Sequence, residues 1–349
     1  MKEHGQDVRF VKYYLQQYCR NFERVFVFSY KNEKYDGLPD NCELVCPKRR
    51  IHRYLYGMLA PFLHQEQFRK CDVFRCFHPT SVISAMVARI ILNKKFIFNY
   101  NYDYGLWAII EKKAMLLPLI KLLEWLAFKF CDRVFVADEE MEKYAGKFIR
   151  NDKIVLVRNG VDTIAFCPRS NSKQTDRKVV LSVGRLESQK NYLQLVEAIS
   201  LLKSRKVKLI IVGKGSLKEK LVQRASEVGV GLKIIGVIPN DKLPETYNIA
   251  DVYTQPSLAE APVKTLLEAM SCGLPCVATN VLGIKHVIKD GENGLLAKLE
   301  ALDLANKIDL LLTNKPLANR LGARARSTVL LKYDLKKFLH LETEILKSI

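Results

Sequence analysis

The chain has 349 residues, more than one hydrophobic core usually serves, so we expect two domains. With 48% hydrophobic and 27% charged residues it has the apolar material for folded cores, which excludes a disordered or collagen-like polymer. The 56 Lys and Arg residues exceed the 37 Asp and Glu residues by a formal charge of +19. Such a charge attracts phosphate in nucleic acid, anionic lipid or a nucleotide, and does not choose among them.

Cysteine usage indicates a reducing compartment. The nine cysteines are odd in number, and no two have the C-x-x-C spacing of a zinc site or redox pair. No apolar segment follows the first residues, so we expect no signal peptide and a cytoplasmic location. The most apolar stretch, residues 114–130, is interrupted by one proline and three charged residues, so we expect no membrane-spanning helix there.

Short β-branched and aromatic runs alternate with helix-period segments along the chain. Near-continuous apolar runs of this kind are typical of parallel strands buried on both faces, so we predict two α/β domains. The predicted strands are 24–28, 72–77, 95–99 and 133–137 in the first half, and 179–183, 207–212, 232–235, 252–255 and 276–279 in the second.

Helices are predicted at 191–204 and 263–270, where apolar residues recur at helical spacing. A turn at Asn159-Gly160 and a polar stretch at 169–178 indicate that the boundary between the two domains lies there.

Cations follow the predicted strand 179–183. Gly184 lets the backbone approach a ligand closely, and Arg185 and Lys190 can neutralise a diphosphate. The alternative is a solvated surface turn. We interpret the next glycine turn, Gly213-Lys214-Gly215, as structural.

Two glutamates form the stronger pattern. Glu260 follows a predicted strand, and Glu268 lies eight residues later in a predicted helix. Paired carboxylates near a phosphate-binding helix start suit a ligand with sugar hydroxyls and phosphates, which is a nucleotide sugar. The alternative is that Glu260 interacts with the helix dipole and Glu268 is solvated. Leucines and a methionine surround Glu268, however, and burial there is costly without a partner.

The pattern of Glu260, seven residues and Glu268 resembles the retaining nucleotide-sugar glycosyltransferases of the GT-B fold, group 1, family 4 type. Further matches in the same order cover about residues 131–335: Asn159 to Asp162, Val183 to Leu186 with Lys190, and Asp290 to Leu296. The resemblance implies two facing Rossmann-like domains with parallel sheets at 1–165 and 166–333. It also implies that a last helix, 334–349, crosses back to the first domain.

The resemblance implies a phosphate site without a metal or other cofactor. Arg185 and Lys190, beside Gly184, would hold the diphosphate of a UDP- or GDP-sugar and offset the charge on the leaving nucleotide. The backbone at Lys264, Thr265 and Leu266 would hold the distal phosphate. No D-x-D motif for a diphosphate-bound metal occurs in the sequence.

The resemblance also implies the sugar contacts. Glu260 would bind the transferred sugar, Glu268 the ribose, and the backbone at Gly236 and Val237 the base. We include His78, just past a first-half strand, as a catalytic candidate on the acceptor side, with a structural turn residue as the alternative.

The sequence departs from the family at two places. Ala261-Pro262-Val263 stand where the family has glycine, which leaves the donor open. The chain starts almost in the family's first glycine-rich loop, so we expect the first strand of the first domain to be missing.

Basic residues flank both apolar segments of the first half. Lys48-Arg49-Arg50 precede 54–63, and Lys112-Lys113 precede 114–130. This pattern is typical of a peripheral contact with an anionic membrane surface, here on its inner face. The alternative is that both segments are core helices.

We therefore expect an enzyme that transfers a hexose-type sugar to a glycan or lipid-linked acceptor with retention. The alternative is a non-catalytic GT-B partner subunit that binds nucleotide sugar or another transferase. Residues 1–170 contain 28 basic and 19 acidic residues and the remainder 28 and 18, so charge is spread along the chain and we expect no nucleic-acid partner.

Overall fold

The computed structural model describes residues 10–349 except residues 50, 78, 102–103, 111–113, 170–176, 204–205 and 261–262. The described chain forms two compact units. The C-terminal unit is Asn159–Lys336, and the N-terminal unit is residues 10–158 together with Lys337–Ile349. The C-terminal unit begins at Asn159, whereas the sequence predicts residue 166. Val161 forms a bridge with Asp334, and its N–H donates to the carbonyl of Tyr333 over 2.9 Å, so this segment pairs with the end of the C-terminal unit.

The described residues of the N-terminal unit form two parallel sheets. The strands pair in the orders β1-β2 and β3-β4-β5-β6. In the larger sheet the inner strand Lys95–Tyr100 is buried at every residue but the first, which explains its mostly apolar sequence. The strands are β1 Val25–Phe28, β2 Cys42–Val45, β3 Val73–Cys76, β4 Lys95–Tyr100, β5 Arg133–Val136 and β6 Ile154–Leu156. The expected loss of a first strand concerns residues 1–9, which lie outside the described residues.

Helices of the N-terminal unit connect and cover these strands. They are α1 Gln16–Asn21, α2 Arg53–Leu63, α3 Gln65–Lys70, α4 Pro79–Leu92, α5 Tyr104–Ile110, α6 Leu117–Phe130 and α7 Glu139–Ala145. A π-helical turn, Phe10–Leu15, leads into α1, and 3-10 turns lie at Ala114–Leu116 and Asn151–Lys153.

The C-terminal unit is one six-stranded parallel sheet in the order β12-β11-β10-β7-β8-β9. Val179 and Leu181 belong to the apolar cluster on one face, and Val180 belongs to the cluster on the other. Both faces are therefore covered, as the near-continuous apolar runs predict. The strands are β7 Lys178–Val183, β8 Val207–Val212, β9 Leu232–Ile235, β10 Val252–Gln255, β11 Cys276–Thr279 and β12 Leu295–Ala297.

In the described part of this unit, six helices cover the faces of the sheet. The helix predicted at 191–204 begins at Tyr192, because Asn191 has a left-handed backbone with φ of 52°. The helices are α8 Tyr192–Ser200, α9 Lys218–Glu227, α10 Leu243–Asn248, α11 Lys264–Ser271, α12 Ala301–Thr313 and α13 Lys315–Lys332.

The last helix, α14 Leu335–Ser348, lies largely within the N-terminal unit, which includes Lys337–Ile349. Glu342 of this helix accepts hydrogen bonds from Arg75 over 2.6 Å and from the Tyr18 hydroxyl over 2.8 Å. Across the described ranges, the helices are too short or too polar to cross a bilayer.

The strand order of the C-terminal unit has a switch point beside β7. The chain passes from β7 to β8 and β9 on one side, and β10 then pairs with the other side of β7. In open parallel sheets the loops at such a point diverge and leave a crevice at the carboxyl ends of the strands, where ligands bind.

Candidate active site

The loops after β7 and β10 are joined to each other at the switch point. The N–H of Leu258 donates to the carbonyl of Gln189 over 2.9 Å, and the Gln189 side-chain amide donates to the carbonyl of Ala259 over 2.9 Å. These contacts bring together two residues that are far apart in sequence, Lys190 and Glu260.

Lys190 and Glu260 form a buried ion pair. Their side chains are 14% and 4% exposed, and the Ser257 hydroxyl donates to the same Glu260 oxygen over 2.6 Å. Buried charges are costly unless they are paired and hydrogen-bonded, and both conditions hold here. An ammonium group has three donors, so Lys190 can hold Glu260 and a phosphate oxygen at the same time.

Glycines allow the loops after β7 and β8 to approach each other. Gly213 has φ of +148°, and a Cβ there would lie 1.9 Å from the carbonyl oxygen of Gly184. A Cβ on Gly184 would lie 2.7 Å from the Tyr192 hydroxyl oxygen. The structural interpretation of the turn at Gly213 is confirmed, and Gly184 is held beside the Lys190 side chain.

Arg185 lies at the surface of the C-terminal unit. Its Nη2 lies 3.4 Å from the Gln189 side-chain oxygen, and the residue is exposed. The guanidinium group therefore lies beside Gln189, the residue before Lys190, and is accessible to solvent. Its predicted role in holding the diphosphate remains a prediction.

Glu268 is buried in α11 and has polar partners from other elements. Its side chain accepts hydrogen bonds from Asn240 over 3.2 Å and from the Tyr247 hydroxyl over 2.9 Å, and the residue is 3% exposed. Burial, together with the neighbouring Glu268, raises the pKa of Tyr247 well above its usual value, so that this hydroxyl remains a donor. The alternative of a solvated Glu268 is wrong.

The start of α11 has no side-chain cap. The residue before it, Val263, has no side-chain acceptor that could cap the first N–H groups. Leu266 is fully buried, and Thr265 donates its hydroxyl to the Gln255 side-chain oxygen over 3.2 Å. The helix dipole and the first-turn N–H groups, with the side chain of Lys264, favour a phosphate here.

The remaining predicted residues are less constrained. Gly236 and Val237 follow β9 at the same edge of the sheet, and the Val237 side chain is 44% exposed. His78 lies outside the described residues. The structure thus brings Gly184, Lys190 and Glu260 together, while the role of each site residue stays a prediction.

Three polar residues of the site are missing from the sequence-based prediction. Ser257 lies two residues after the last residue of β10, a position that could have drawn attention to it. Asn240 contacts Glu268 from the loop between β9 and α10, and Tyr247 contacts it from α10. No local sequence pattern around Glu268 therefore indicates either residue. Within the described ranges no group of three His, Cys, Asp or Glu side chains could hold a metal ion, and metal independence stays a prediction.

Two family profiles match nearly the whole chain. The profile described as Glycosyl transferases group 1 matches residues 165–328, and the profile described as Glycosyltransferase Family 4 matches residues 5–164. The chain belongs to the group 1 glycosyltransferases. The expected family is confirmed, although the profiles do not address the stereochemistry of transfer.

Relatives of this glycosyltransferase include both named and uncharacterised proteins. An uncharacterised glycosyltransferase of Methanocaldococcus jannaschii is 31% identical over 50% of this chain and 49% of its own length. The UDP-Gal:alpha-D-GlcNAc-diphosphoundecaprenol alpha-1,3-galactosyltransferase of Escherichia coli is 26% identical over 65% of this chain and 62% of its own length. The chain therefore spans about half to three fifths of the length of these relatives.

Solved structures confirm the expected GT-B fold of this glycosyltransferase. Anabaena HepE in complex with UDP-glucose superimposes with a TM-score of 0.80 at 18% identity, covering 99% of this chain and 96% of that chain. Sucrose-phosphate synthase of Thermosynechococcus elongatus gives 0.81 at 20% identity, covering 99% and 92%.

Proposed function

We propose that this glycosyltransferase moves a hexose-type sugar from a UDP- or GDP-sugar to a hydroxyl of a glycan or lipid-linked saccharide, with retention of configuration. The observation that carries the proposal is the buried cluster of Lys190, Glu260 and Ser257 at the switch point, near the uncapped start of α11. One end of this site favours phosphate, and the other presents a fixed carboxylate to sugar hydroxyls.

The chemistry follows from where charge develops. As the bond between the anomeric carbon and the phosphate oxygen breaks, negative charge grows on the nucleoside diphosphate. Lys190, Arg185 and the α11 N-terminus stabilise that charge without a metal. The acceptor oxygen bonds to the anomeric carbon on the face that the phosphate leaves, and the acceptor proton passes to the departing phosphate oxygen, which gives retention.

Glu260 and Glu268 fix the two ends of the donor. Glu260 is held by Lys190 and Ser257 and binds hydroxyls of the transferred sugar, while Glu268 is held by Tyr247 and Asn240 and binds the ribose. Gly236 and Val237 line the base. Because both carboxylates are already fixed in position, little conformational entropy is lost when the donor binds.

The names of similar proteins support a uridine donor and a lipid-linked acceptor. The Escherichia coli relative is named for transfer from UDP-Gal to a diphosphoundecaprenol-linked sugar, and the structural neighbour HepE binds UDP-glucose. We infer that this protein works in the cytoplasm, at the inner face of a membrane that carries the acceptor.

Substitution of Glu260 tests the proposal. Glu260→Gln keeps the shape of the side chain but removes the charge that orients sugar hydroxyls and pairs with Lys190. We expect turnover to fall on the order of a hundred- to thousandfold, with the melting shift produced by UDP largely kept. The measurements are transfer from UDP- and GDP-sugars to lipid-linked acceptors, and thermal shifts with UDP, GDP, ADP and CDP.

Glu227→Gln is the matched control, because Glu227 is an exposed glutamate of the same unit that pairs with Arg224. It should leave turnover unchanged. Unchanged turnover in Glu260→Gln would contradict the proposed role of this carboxylate. Nucleotide-sugar binding without transfer to any acceptor would instead favour a non-catalytic partner subunit.

A further inference from the structure

The N-terminal unit exposes apolar side chains on three neighbouring helices. Helix α2 packs against α4, and α4 packs against α6. We propose that the outward side of these helices, which we call the three-helix face, docks on an anionic lipid bilayer. This inference rests on the proposed function in one respect, since it names the surface through which the enzyme reaches a lipid-linked acceptor.

Helix α2 has the clearest pattern. One stripe, which includes Tyr56 and Ala60, is buried at 2% exposure and faces the unit. The opposite stripe is also apolar, at positions i, i+3, i+4, i+7 and i+8, whereas a surface helix normally has polar residues there. Its members are Leu55 (52% exposed), Met58 (54%), Leu59 (37%), Phe62 (58%) and Leu63 (54%).

The pattern continues on the neighbouring helices. Ile90 and Ile91 of α4 are 79% and 49% exposed. Leu119, Leu122 and Trp125 of α6 are 42%, 51% and 44% exposed. Each helix therefore buries one side in the unit and exposes apolar side chains on the other. For segments 54–63 and 114–130, the prediction of a core helix applies to the buried side and the prediction of a surface contact applies to the exposed side.

The charge of the three helices selects the occupant. Glu124 is their single acidic residue, and it is 1% exposed and paired with Lys121. Their other charged residues are all basic, and Lys48 and Arg49 precede α2. Arg89 is paired with Asp132 over 2.6 Å, so the positive charge at this face comes mainly from the exposed Lys48, Arg49 and Lys129. Positive charge beside exposed apolar side chains complements anionic headgroups above acyl chains. A protein partner would not require a single sign of charge.

Trp125 and Lys129 have the arrangement expected at a headgroup region. The Lys129 ammonium lies 4.7 Å from the centre of the Trp125 ring, and both side chains are exposed. Tryptophan is enriched at membrane interfaces because one end of its ring is apolar and the other is polar. The Lys129 ammonium over this ring is exposed and has donors that can contact a lipid phosphate.

Vesicle sedimentation with the full chain tests the proposal. We expect binding to vesicles of equal parts phosphatidylcholine and phosphatidylglycerol, weaker binding to phosphatidylcholine alone, and weakening as salt is raised. The variant Met58→Gln with Phe62→Gln removes two exposed side chains and should lower the partition coefficient at least about tenfold. Lys129→Gln should lower it about fivefold.

The matched control is Leu302→Gln with Leu331→Gln. These leucines are 60% and 73% exposed on the C-terminal unit, so the control removes a similar apolar area away from the three-helix face and should bind vesicles like the wild type. Absence of binding at low salt, or equal binding by Met58→Gln with Phe62→Gln, overturns the proposal. Self-association that this double variant abolishes, without vesicle binding, would identify the face as an interface between two copies.

Nucleotide binding separates this proposal from the proposed function. The melting shift with UDP should be the same in Met58→Gln with Phe62→Gln as in the wild type, because the substituted residues lie outside the donor site. Vesicle binding without any nucleotide binding would contradict the proposed transferase function and support the proposed docking of the three-helix face on the bilayer. Nucleotide binding and turnover on a soluble acceptor, without vesicle binding, would contradict only the proposed docking of the three-helix face on the bilayer.

Discussion

At the scale of single residues, the site depends on carboxylates that are fixed before a ligand arrives. Glu268 is buried next to Leu267 and Ala269 in α11, and it is stable there because Tyr247 and Asn240 donate to it. A hydrogen bond to a charged acceptor contributes more than one to a neutral acceptor, since the buried charge has no water to solvate it. The hydroxyl of Tyr247 therefore serves both stability and orientation.

Removal of that hydroxyl should have two separable effects. In Tyr247→Phe we expect the free energy of unfolding to fall by about 2 kcal/mol, because the carboxylate loses a donor without gaining water. The melting shift produced by UDP should also decrease, because Glu268 is less firmly oriented toward the ribose. Urea unfolding and thermal shift measure the two effects.

Tyr253→Phe is the control for this experiment. Tyr253 is equally buried, but its hydroxyl donates to the neutral side-chain oxygen of Gln255 over 3.0 Å. Its removal should cost about 1 kcal/mol and leave the UDP shift unchanged. If both variants lose the same stability and neither changes the UDP shift, the proposed link between Tyr247 and the donor is wrong.

At the scale of elements, the crevice depends on the close approach of the loops after β7 and β8. A Cβ at Gly213 would meet backbone rather than a flexible side chain, so the loop that holds Gly184 must move. We expect Gly213→Ala to lower the free energy of unfolding by about 4 kcal/mol and to weaken UDP binding. Urea unfolding and the UDP melting shift measure this.

Gly229→Ala separates backbone strain from the clash. Gly229 has φ of +70° but no atom within 4 Å of an added Cβ. Its substitution should cost about 1 kcal/mol and leave UDP binding intact. Similar losses in the two variants would mean that the contact between the two loops contributes little to the crevice.

The same elements show what sequence patterns can predict. Strands such as β7 and β8 are nearly continuous apolar runs because both of their faces are covered, and such a run is visible locally. Strand β2 contains Glu43, and β6 has three residues, so neither gives that signal. Tyr247 and Asn240 act on Glu268 across elements, and the contact between Gly184 and Gly213 joins two loops, so neither could be predicted from local sequence.

At the scale of the whole molecule, the described chain returns at its end to the N-terminal unit, which includes Lys337–Ile349. Helix α14 is held to the N-terminal unit by an ion pair between Arg75 and Glu342, whose side chains are 8% and 4% exposed. The guanidinium also lies 4.1 Å from the centre of the Phe77 ring. Burial raises the pKa of Glu342, and the charge of Arg75 acts against that rise.

A double-mutant cycle measures what this pair contributes to the position of α14. Arg75→Met or Glu342→Leu alone leaves one charge buried without its partner, and each should lower the free energy of unfolding by about 3 to 5 kcal/mol. The double variant should cost less than either single variant, because an apolar pair of similar volume needs no solvation. Both tryptophans, Trp107 and Trp125, lie in the N-terminal unit, so their fluorescence in urea reports its unfolding separately.

The C-terminal unit provides the internal control for the cycle. The UDP melting shift should persist in all three variants, because no residue of the donor site changes. If each single variant cost less than about 1 kcal/mol, the pair would behave like a solvated surface ion pair. If the costs of the two single variants simply added in the double variant, Arg75 and Glu342 would act independently. Either result would mean that apolar contacts, rather than the ion pair, hold α14 in the N-terminal unit. These contacts include the cluster of Leu346 with Ile97 and Phe135.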